Sequence, residues 1–510
     1  MKVNIQSRTA AAFRAVGASY GTRAVTLLLG FVVTPIVLGF LGRDLYGFWV
    51  IVGSVIGYVG MVDFGITGSV GTLIAREQGS PESVNRIAAN ALAMHTTTGA
   101  CALLLSIAAA VYAPDLLHVP DTQRDLISKL ILLAGTGLAL SFPARTLKAV
   151  FRGTQRIATL RFVEFVLTLF RTGLMLLLLF LGVGILALPW STIASSLLSL
   201  LVFTTLACRR IPGFRIRVQD ISREQSSRIL SVSGWWFLGS LGALFIYQTD
   251  NIVLGRYLDS AAVTTYALTF RVAEMIRGQM FQLNLAIAPG VGDLVGRGDT
   301  LRLRSVFISG TRIVLFLGLS AAFLIMKLNR GFISLWVGSE NYGGDLLTAV
   351  FAGTLVYLVF FHSAAVILTN LLDLRVLAGT RFLEGIFNLL LSLALVRRYG
   401  LVGVAGATLA AGLLTTGWFL PRRAGKLIGL STLDLVKQLL AVVPFFVLGA
   451  AGFVAVPSYG DVGWWGLAWR GICLGGWLAV SGWWTLLPRE EIGWRFRGVI
   501  LGRNLASRKR

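Results

Sequence analysis

The sequence predicts an all-α, polytopic membrane protein with about 14 transmembrane helices. Three observations predict this class. The 510 residues are 55% hydrophobic and 14% charged, whereas soluble domains carry about 25% charged residues. Apolar windows of about 20 residues recur along the whole chain, and each is long enough to cross a hydrocarbon core of about 30 Å. Basic residues concentrate in alternate loops, as the positive-inside rule requires of a multi-pass protein.

The loops fix the predicted topology. With the N-terminus placed inside, the cytoplasmic segments hold 32 of the 46 Lys and Arg residues and the opposite loops hold 7. This excess predicts an even number of spans with both termini in the cytoplasm. The predicted spans are centred near residues 30, 56, 100, 134, 170, 196, 243, 277, 318, 358, 388, 410, 445 and 476.

Two parts of the chain resemble each other. Residues 34–50 and 249–268 share IVLG and a following tyrosine, and SVGTLIAREQG (69–79) resembles GVGDLVGRGD (290–299) one helix later. Spans 1 and 2 therefore resemble spans 7 and 8. Both pairs of spans begin on the cytoplasmic side, so we expect a parallel duplication. The alternative is a chance match of short segments. The predicted organisation is a six-helix lobe over 1–207, a basic cytoplasmic linker over 208–228, a second six-helix lobe over 229–425, and two additional helices with a basic tail over 426–510.

Composition argues against several other functions. The net charge of +23 does not predict nucleic-acid binding, because the basic residues lie in short loops between apolar spans. Cys101, Cys208 and Cys473 have unrelated spacings, and the three histidines are equally dispersed. This pattern predicts neither a disulfide framework nor a metal site. We therefore expect no cofactor other than a coupling H⁺ or Na⁺.

Span 8 carries charges where lipid would otherwise lie. TFRVAEMIRGQ (269–279) holds Arg271, Glu274 and Arg277. At 100° per residue, Glu274 and Arg277 lie about 60° and about 120° from Arg271 on the same side, which gives a broad polar arc. A central arginine costs roughly 2.5–3.5 kcal/mol on insertion scales, so the arc should face water or partner charges. Alternatively, Arg271 and Glu274 only neutralise each other, but this pairing does not explain the charge of Arg277.

Other spans also contain arginines. Span 1 contains Arg23, and span 5 contains Glu164 and Arg171 seven residues apart. A guanidinium stays charged after desolvation and donates two parallel hydrogen bonds to phosphate oxygens. A cavity for cationic drugs would instead require carboxylates and aromatic rings. Arg23, Arg171, Arg271 and Arg277 therefore predict an anionic substrate.

Five acids lie within predicted spans. Each either carries a coupling proton or Na⁺, or pairs structurally with a neighbouring arginine. We select Asp63, Asp250 and Glu274 as candidates for ion coupling. The five are Asp63, Glu164, Asp250, Glu274 and Glu384.

Three segments carry a family resemblance. Residues 27–79, 247–275 and 287–299 resemble, in their order and spacing, the bacterial polysaccharide flippase family of the multidrug/oligosaccharidyl-lipid/polysaccharide exporter superfamily. The match covers about the first 300 residues; beyond them the likeness is one of hydropathy. The motifs of the first segment are Leu41-Gly42, Tyr46-Gly47-Phe48-Trp49 and Asp63-Phe64-Gly65.

The resemblance implies a function. Members are two-lobed inner-membrane transporters, not enzymes, that flip undecaprenyl-pyrophosphate-linked oligosaccharide outward by alternating access for cell-surface polysaccharide such as exopolysaccharide or O-antigen. It implies a lipid-linked oligosaccharide as substrate, membrane lipids, and a polysaccharide polymerase or glycosyltransferases as partners, with no nucleic acid. The four arginines would bind the pyrophosphate. The alternatives are a multidrug/cation antiporter of the same superfamily and a membrane glycan polymerase, for which a large outer loop would be expected.

Overall fold

The computed structural model describes residues 5–77, 80–457 and 463–485; within them, the side chains of 5–24, 27, 232, 235–236, 283–286 and 289 are not described. The described chain is helical and contains no β-strand, which confirms the all-α polytopic class. The helices are α1 Ile5–Val59, α2 Ile66–Arg76, α3 Pro81–Leu116, α4 Asp121–Gly153, α5 Ile157–Phe180, α6 Ala187–Arg210, α7 Arg223–Tyr247, α8 Thr249–Tyr257, α9 Ser260–Gly296, α10 Thr300–Val337, α11 Asp345–Asn370, α12 Leu374–Leu414, α13 Thr416–Leu427, α14 Thr432–Leu440, α15 Val443–Ala455 and α16 Trp464–Thr485.

Ten helical segments of the described residues are long and apolar enough to cross a membrane. The protein is therefore a multi-pass membrane protein. All the predicted span centres lie within helices, while the count of fourteen stays a prediction. Helix α9 is not among the ten segments; its 37 residues include Arg271, Glu274 and Arg277.

Two long helices are each divided by one glycine. Helix α1 has 55 residues, which at 1.5 Å per residue is about 80 Å of helix and too long for one bilayer crossing. Gly42 divides it with a φ of 73°, and Gly400 divides α12 with a φ of 53°. Positive φ is accessible to glycine because it lacks a Cβ. The sequence predicts a connection at both places, and each connection is a turn at a single residue.

The described residues among 1–267 and 378–407 form one compact unit, unit 1. Its core lies among α2 to α7, where Phe151 of α4 and Phe203 of α6 are fully buried with ring centroids 5.5 Å apart. Ile211 and Phe214, which follow α6, belong to the same core. Helices α7 and α8 thus pack with the first six helices. The predicted lobe limits at 207, 229 and 425 stay a prediction.

The basic linker is held by two asparagines of α3. Asn90 is fully buried; its amide donates to the carbonyl of Asp220 at 2.8 Å, and its oxygen accepts the Ser222 N–H at 2.8 Å. Asn85 donates to the Gly213 carbonyl at 2.8 Å. Both amides satisfy backbone groups that no regular helix satisfies at this point. The linker is therefore an ordered part of unit 1.

The described residues among 268–377 and 408–510 form the second unit, unit 2. Helices α15 and α16 pack against α10 around Phe323, Phe445 and Leu474. A Cβ on Gly449 would lie 2.5 Å from the Phe323 ring, and one on Gly482 would lie 2.1 Å from the Phe316 ring. The two helices predicted as additions to the lobes are therefore joined to α10 through close contacts that glycine permits.

Candidate functional site

A cavity of about 420 Å³ opens in unit 1 between α4, α5 and α6, with Thr26 of α1 at its edge. Pockets for small ligands fall between about 300 and 1,000 Å³. Three cationic side chains and one carboxylate line it, so its formal charge is positive. We call it the basic cavity. Its lining residues are Thr26, Ser141, Ala144, Lys148, Arg161, Glu164, Phe165, Leu167, Thr168, Arg171, Thr192, Ser195, Ser196 and Ser199.

The charges of the basic cavity are unequally paired. Arg161 donates to Glu164 at 3.0 Å, one turn along α5. Arg171, predicted to bind substrate, lies two turns further on the same helix and is exposed. Lys148 of α4 is half-buried, with its Nζ 5.6 Å from the centre of the Phe203 ring. One carboxylate therefore faces three cations, and a bound anion would balance the excess.

Hydroxyl groups form the polar wall opposite these charges. Thr192, Ser195, Ser196 and Ser199 recur at intervals of three, four and seven along α6, which places them on one helical face. Ser196 donates to the Gly137 carbonyl at 3.0 Å and Thr192 to the Leu188 carbonyl at 3.0 Å. Each hydroxyl keeps lone pairs free to accept hydrogen bonds.

Ser199 differs from the other hydroxyls. Its side chain is 6% exposed, and its Oγ has no hydrogen-bond partner among the described residues. A buried polar group without a partner is costly, by about 1–3 kcal/mol. A polar ligand in the basic cavity would supply the missing partner.

Part of this cavity could be predicted from the sequence. Glu164 and Arg171 are among the predicted charged residues of the spans, whereas Lys148 of α4 and Arg161 of α5, which also line the cavity, are not. The hydroxyl wall of α6 could be predicted from STIASSLLS (191–199), an apolar stretch in which hydroxyl-bearing residues recur at helical spacing.

The charged stretch of α9 forms a second cluster, in unit 2. Arg271 donates to Glu274 at 3.2 Å, and Arg277 approaches the other carboxylate oxygen at 3.8 Å. The Nε of Arg271 is buried and has no hydrogen-bond partner within the described part of the chain. The guanidinium of Arg277 lies 5.9 Å from the centre of the Phe270 ring. One carboxylate is thus shared by two guanidiniums, so the three side chains together carry a formal charge of +1.

Asp63 lies at the break between α1 and α2. Its Oδ1 accepts from Thr67 Oγ1 at 2.8 Å and from His95 Nε2 at 3.1 Å, and Arg145 Nη1 lies 3.4 Å away. His95 is fully buried, and its Nδ1 is 2.7 Å from Thr146 Oγ1. The sequence indicates Asp63 as a candidate but not these partners, because they lie up to 82 residues away along the chain.

Asp250, the second acid proposed for ion coupling, is 6% exposed at the start of α8. Tyr266 donates to its Oδ2 at 2.7 Å, and Asn388 Nδ2 lies 3.5 Å from its Oδ1. Nearby, Arg381 and Glu384 form a buried ion pair at 3.0 Å. The helices α8, α9 and α12 therefore meet at a polar network within unit 1.

The predicted substrate-binding arginines fall into three groups. Arg171 belongs to the basic cavity of unit 1, Arg271 and Arg277 share Glu274 in unit 2, and the side chain of Arg23 lies outside the described residues. A common four-arginine cavity stays a prediction, as do the coupling roles of Asp63, Asp250 and Glu274.

Two protein-family models and several known proteins are similar to this chain. A model for "Polysaccharide biosynthesis protein" matches residues 16–294, and the MatE model matches 236–371. The chain is 24% identical over 417 residues to the uncharacterized membrane protein EpsK of Bacillus subtilis (strain 168), covering 79% of this chain and 81% of EpsK. It is 21% identical over 416 residues to the probable flippase AglR of Haloferax volcanii, covering 81% and 83%.

Solved structures show the same fold. The lipid II flippase MurJ, in an inward closed conformation, superposes with a TM-score of 0.69 at 13% identity, covering 93% of this chain and 100% of MurJ. The first family model alone spans more than half of the 510 residues. The chain therefore belongs to the polysaccharide biosynthesis protein family, within the multidrug/oligosaccharidyl-lipid/polysaccharide exporter superfamily of membrane transporters.

Proposed function

We propose that this protein flips an undecaprenyl-pyrophosphate-linked oligosaccharide outward across the bacterial inner membrane, for the synthesis of a cell-surface polysaccharide. Both termini would lie in the cytoplasm, and transport would proceed by alternating access. The substrate would arrive from glycosyltransferases and be passed to a polysaccharide polymerase. The family and the flippase named among the relatives support this class of substrate.

The basic cavity is the observation that carries the proposal. Lys148 and Arg171 supply charge for a pyrophosphate, and the α6 hydroxyls supply groups that both donate and accept hydrogen bonds. Saccharide hydroxyls require such groups, whereas phosphate oxygens require donors and cations. The buried Ser199 hydroxyl adds an unused hydrogen-bonding group at the same wall. A lipid-linked saccharide combines both chemistries in one molecule.

A multidrug/cation antiporter is the second candidate, because the MatE model matches residues 236–371. A cationic substrate needs carboxylates or aromatic faces for its charge. The basic cavity offers one carboxylate, Glu164, which Arg161 already engages at 3.0 Å, and one aromatic ring, Phe165, beside three cationic side chains. The chemistry of this cavity therefore favours an anionic substrate over a cationic one.

Ligand binding by the purified protein in lipid nanodiscs tests the proposal. We expect undecaprenyl pyrophosphate to bind, and Arg171→Gln and Lys148→Gln each to weaken binding about tenfold or more, because a charge-assisted hydrogen bond contributes about 1.5–3 kcal/mol. Arg171→Lys should retain part of the affinity, since it keeps the charge but loses the two-pronged geometry. Native mass spectrometry measures the bound fraction.

The matched control is Arg302→Gln. Arg302 is 76% exposed and pairs with Asp299 at 3.4 Å, outside the basic cavity. This variant should bind as the parent does. A parent protein that binds tetraphenylphosphonium but not undecaprenyl pyrophosphate would instead support the cation antiporter. Equal binding of undecaprenyl pyrophosphate by all variants would show that the basic cavity does not bind the substrate.

A further inference from the structure

Asp63 and His95 form a buried pair whose surroundings suit two protonation states. We propose that this pair is a proton-binding site, and that its occupancy sets the position of α2. The pair lies in unit 1 at the break between α1 and α2, and it lines no part of the basic cavity. The inference does not depend on which substrate the protein carries.

The hydrogen bonds to His95 can adapt to either state. Nε2 faces the Asp63 carboxylate at 3.1 Å and therefore carries a hydrogen. Nδ1 faces the hydroxyl of Thr146 at 2.7 Å. When the imidazole is neutral, the hydroxyl donates to Nδ1; when it takes up a proton from water, Nδ1–H donates and the hydroxyl accepts. A hydroxyl can do both, whereas a backbone carbonyl would accept only.

The charges around the pair oppose each other. The Asp63 carboxylate favours an imidazolium beside it, while Arg145, 3.4 Å from the same carboxylate, disfavours a second cation. Burial of the imidazole also disfavours charge. These influences act on the charge of the same imidazole in opposite directions.

Other ionisable groups of the packed helices face elsewhere. On α1, the Tyr58 hydroxyl bonds to Thr249. Glu77, just beyond α2, pairs with Arg228 of α7 at 2.6 Å. On α4, Lys148 lines the basic cavity one turn beyond Arg145. Among the described residues, the cationic groups within 4 Å of the Asp63 carboxylate are those of His95 and Arg145.

Asp63 borders a separate cavity of about 450 Å³. Asp63 and Arg145 line it together with Gly60, Phe237 and Leu244. The Asp63 side chain is 16% exposed, whereas that of His95 is not exposed at all. Asp63 is therefore the member of the pair that borders the cavity, and the imidazole of His95 lies behind it.

Asp63 also holds the start of α2. Its Oδ2 accepts the Thr67 backbone N–H at 3.3 Å, and the chain between them turns through left-handed φ values of 46° at Phe64 and 76° at Gly65. A side-chain acceptor at this position satisfies one of the free N–H groups at a helix N-terminus. A change in the charge of the Asp63–His95 pair therefore acts directly on the end of α2.

The other face of α2 contacts α7. Ser69 and Ser233 share a hydrogen bond of 2.8 Å, and both side chains are buried. Any displacement of α2 that accompanies proton binding would reach α7 through this contact. The pair is thus connected to a helix on the far side of α2.

Histidine NMR on the full chain in nanodiscs tests the proton site. The protein has three histidines, so His118→Gln and His362→Gln assign the His95 signals by elimination, even if His95 variants fail to fold. We expect the His95 ring signals to change with pH between pH 5 and 8.5, and this response to differ in Asp63→Asn, which removes the neighbouring negative charge. Ring signals that stay constant from pH 5 to 8.5 would overturn the proposal.

Spin labels test the link to α2. In a background in which Cys101, Cys208 and Cys473 are replaced by serine, labels at Thr72→Cys on α2 and Thr205→Cys on α6 report the position of α2; both native side chains are exposed. The distance distribution should change between pH 5 and 8.5 and stay constant when His95→Gln is added. A pH response that survives His95→Gln, or a distance independent of pH in the parent, would overturn the link. Neither readout uses a substrate. A negative result in these two experiments would therefore contradict the proton site and not the proposed function, and a negative result in the ligand-binding experiment would not contradict the proton site.

Discussion

The hydroxyl of Thr264 donates to the main-chain oxygen of Arg43 at 2.7 Å, across 221 residues of sequence. Arg43 also donates to Thr265 at 2.9 Å, and Ser260 donates to Asp44 at 3.3 Å. These contacts join the two segments that resemble each other in sequence. The first turns after the Gly42 break therefore pack directly on the start of α9.

Gly47 permits this close approach, and Gly47→Ala should destabilise the protein. A Cβ there would lie 1.8 Å from the main-chain oxygen of Ser260, and overpacking of this kind costs about 1–3 kcal/mol. The melting temperature in detergent measures the effect. Gly53→Ala is the matched control, since nothing lies within 4 Å of a Cβ there; it should leave the melting temperature unchanged or raise it. Equal melting temperatures for both variants would contradict the contact.

Asn90→Ala should loosen the linker between α6 and α7. The change leaves the Ser222 N–H and the Asp220 carbonyl without their partner, which costs about 1–3 kcal/mol for a buried group. Hydrogen exchange at Ser222 should accelerate more than tenfold. Asn85→Ala should have a smaller effect, because its bond to Gly213 is exposed and water can replace it. Faster exchange in the Asn85 variant than in the Asn90 variant would contradict this account.

Glu384→Gln should be among the more damaging single changes in unit 1. Glu384 and Arg381 are 1% and 10% exposed at a separation of 3.0 Å, and removing one partner of a buried pair costs about 3–5 kcal/mol. Asp293→Asn breaks an exposed pair with Arg297 at the same 3.0 Å separation, and should cost less than about 1 kcal/mol. The melting temperatures of the two variants compare the loss of a buried ion pair with the loss of an exposed ion pair at the same separation. Similar losses would show that burial is not decisive here.

Arg271→Gln together with Glu274→Gln separates charge balance from substrate binding. If Arg271 only neutralises Glu274, the double variant should restore the glycan export that the single Arg271→Gln change abolishes. The proposed function predicts that the double variant inserts but exports no glycan, because Arg277 alone remains. Export in cells, normalised to membrane-inserted protein, measures this. Full activity of the double variant would exclude Arg271 from substrate binding.

Helix positions could be predicted from hydropathy because each span is a local property of about 20 residues. Every predicted centre lies in a helix, and Gly42 and Gly400 occupy connections that the sequence predicts. The separation of α2 from α1 was missed, because the run through Asp63 remains apolar while Phe64 and Gly65 take left-handed conformations.

The sites were predictable only where their residues share one helix. The Arg271, Glu274 and Arg277 cluster has helical spacing and was identified, as were Glu164 and Arg171. Partners on other helices depend on tertiary packing, which a single sequence does not reveal. His95 beside Asp63 and Tyr266 beside Asp250 belong to this second group.

The charges of α9 also bear on how the chain enters the bilayer during synthesis. Three ionisable residues near the middle of one helix, each costing roughly 2.5–3.5 kcal/mol at the bilayer centre, make partition of α9 by itself unfavourable. Contacts with later segments hold the same stretch of α9: Asn329 of α10 donates to the Thr269 carbonyl at 3.1 Å, and the Phe270 ring lies 4.7 Å from that of Phe351 on α11. Translocation of α9 into lipid should therefore wait until α10 and α11 have left the ribosome, so that a chain truncated after α9 is retained at the translocon or degraded.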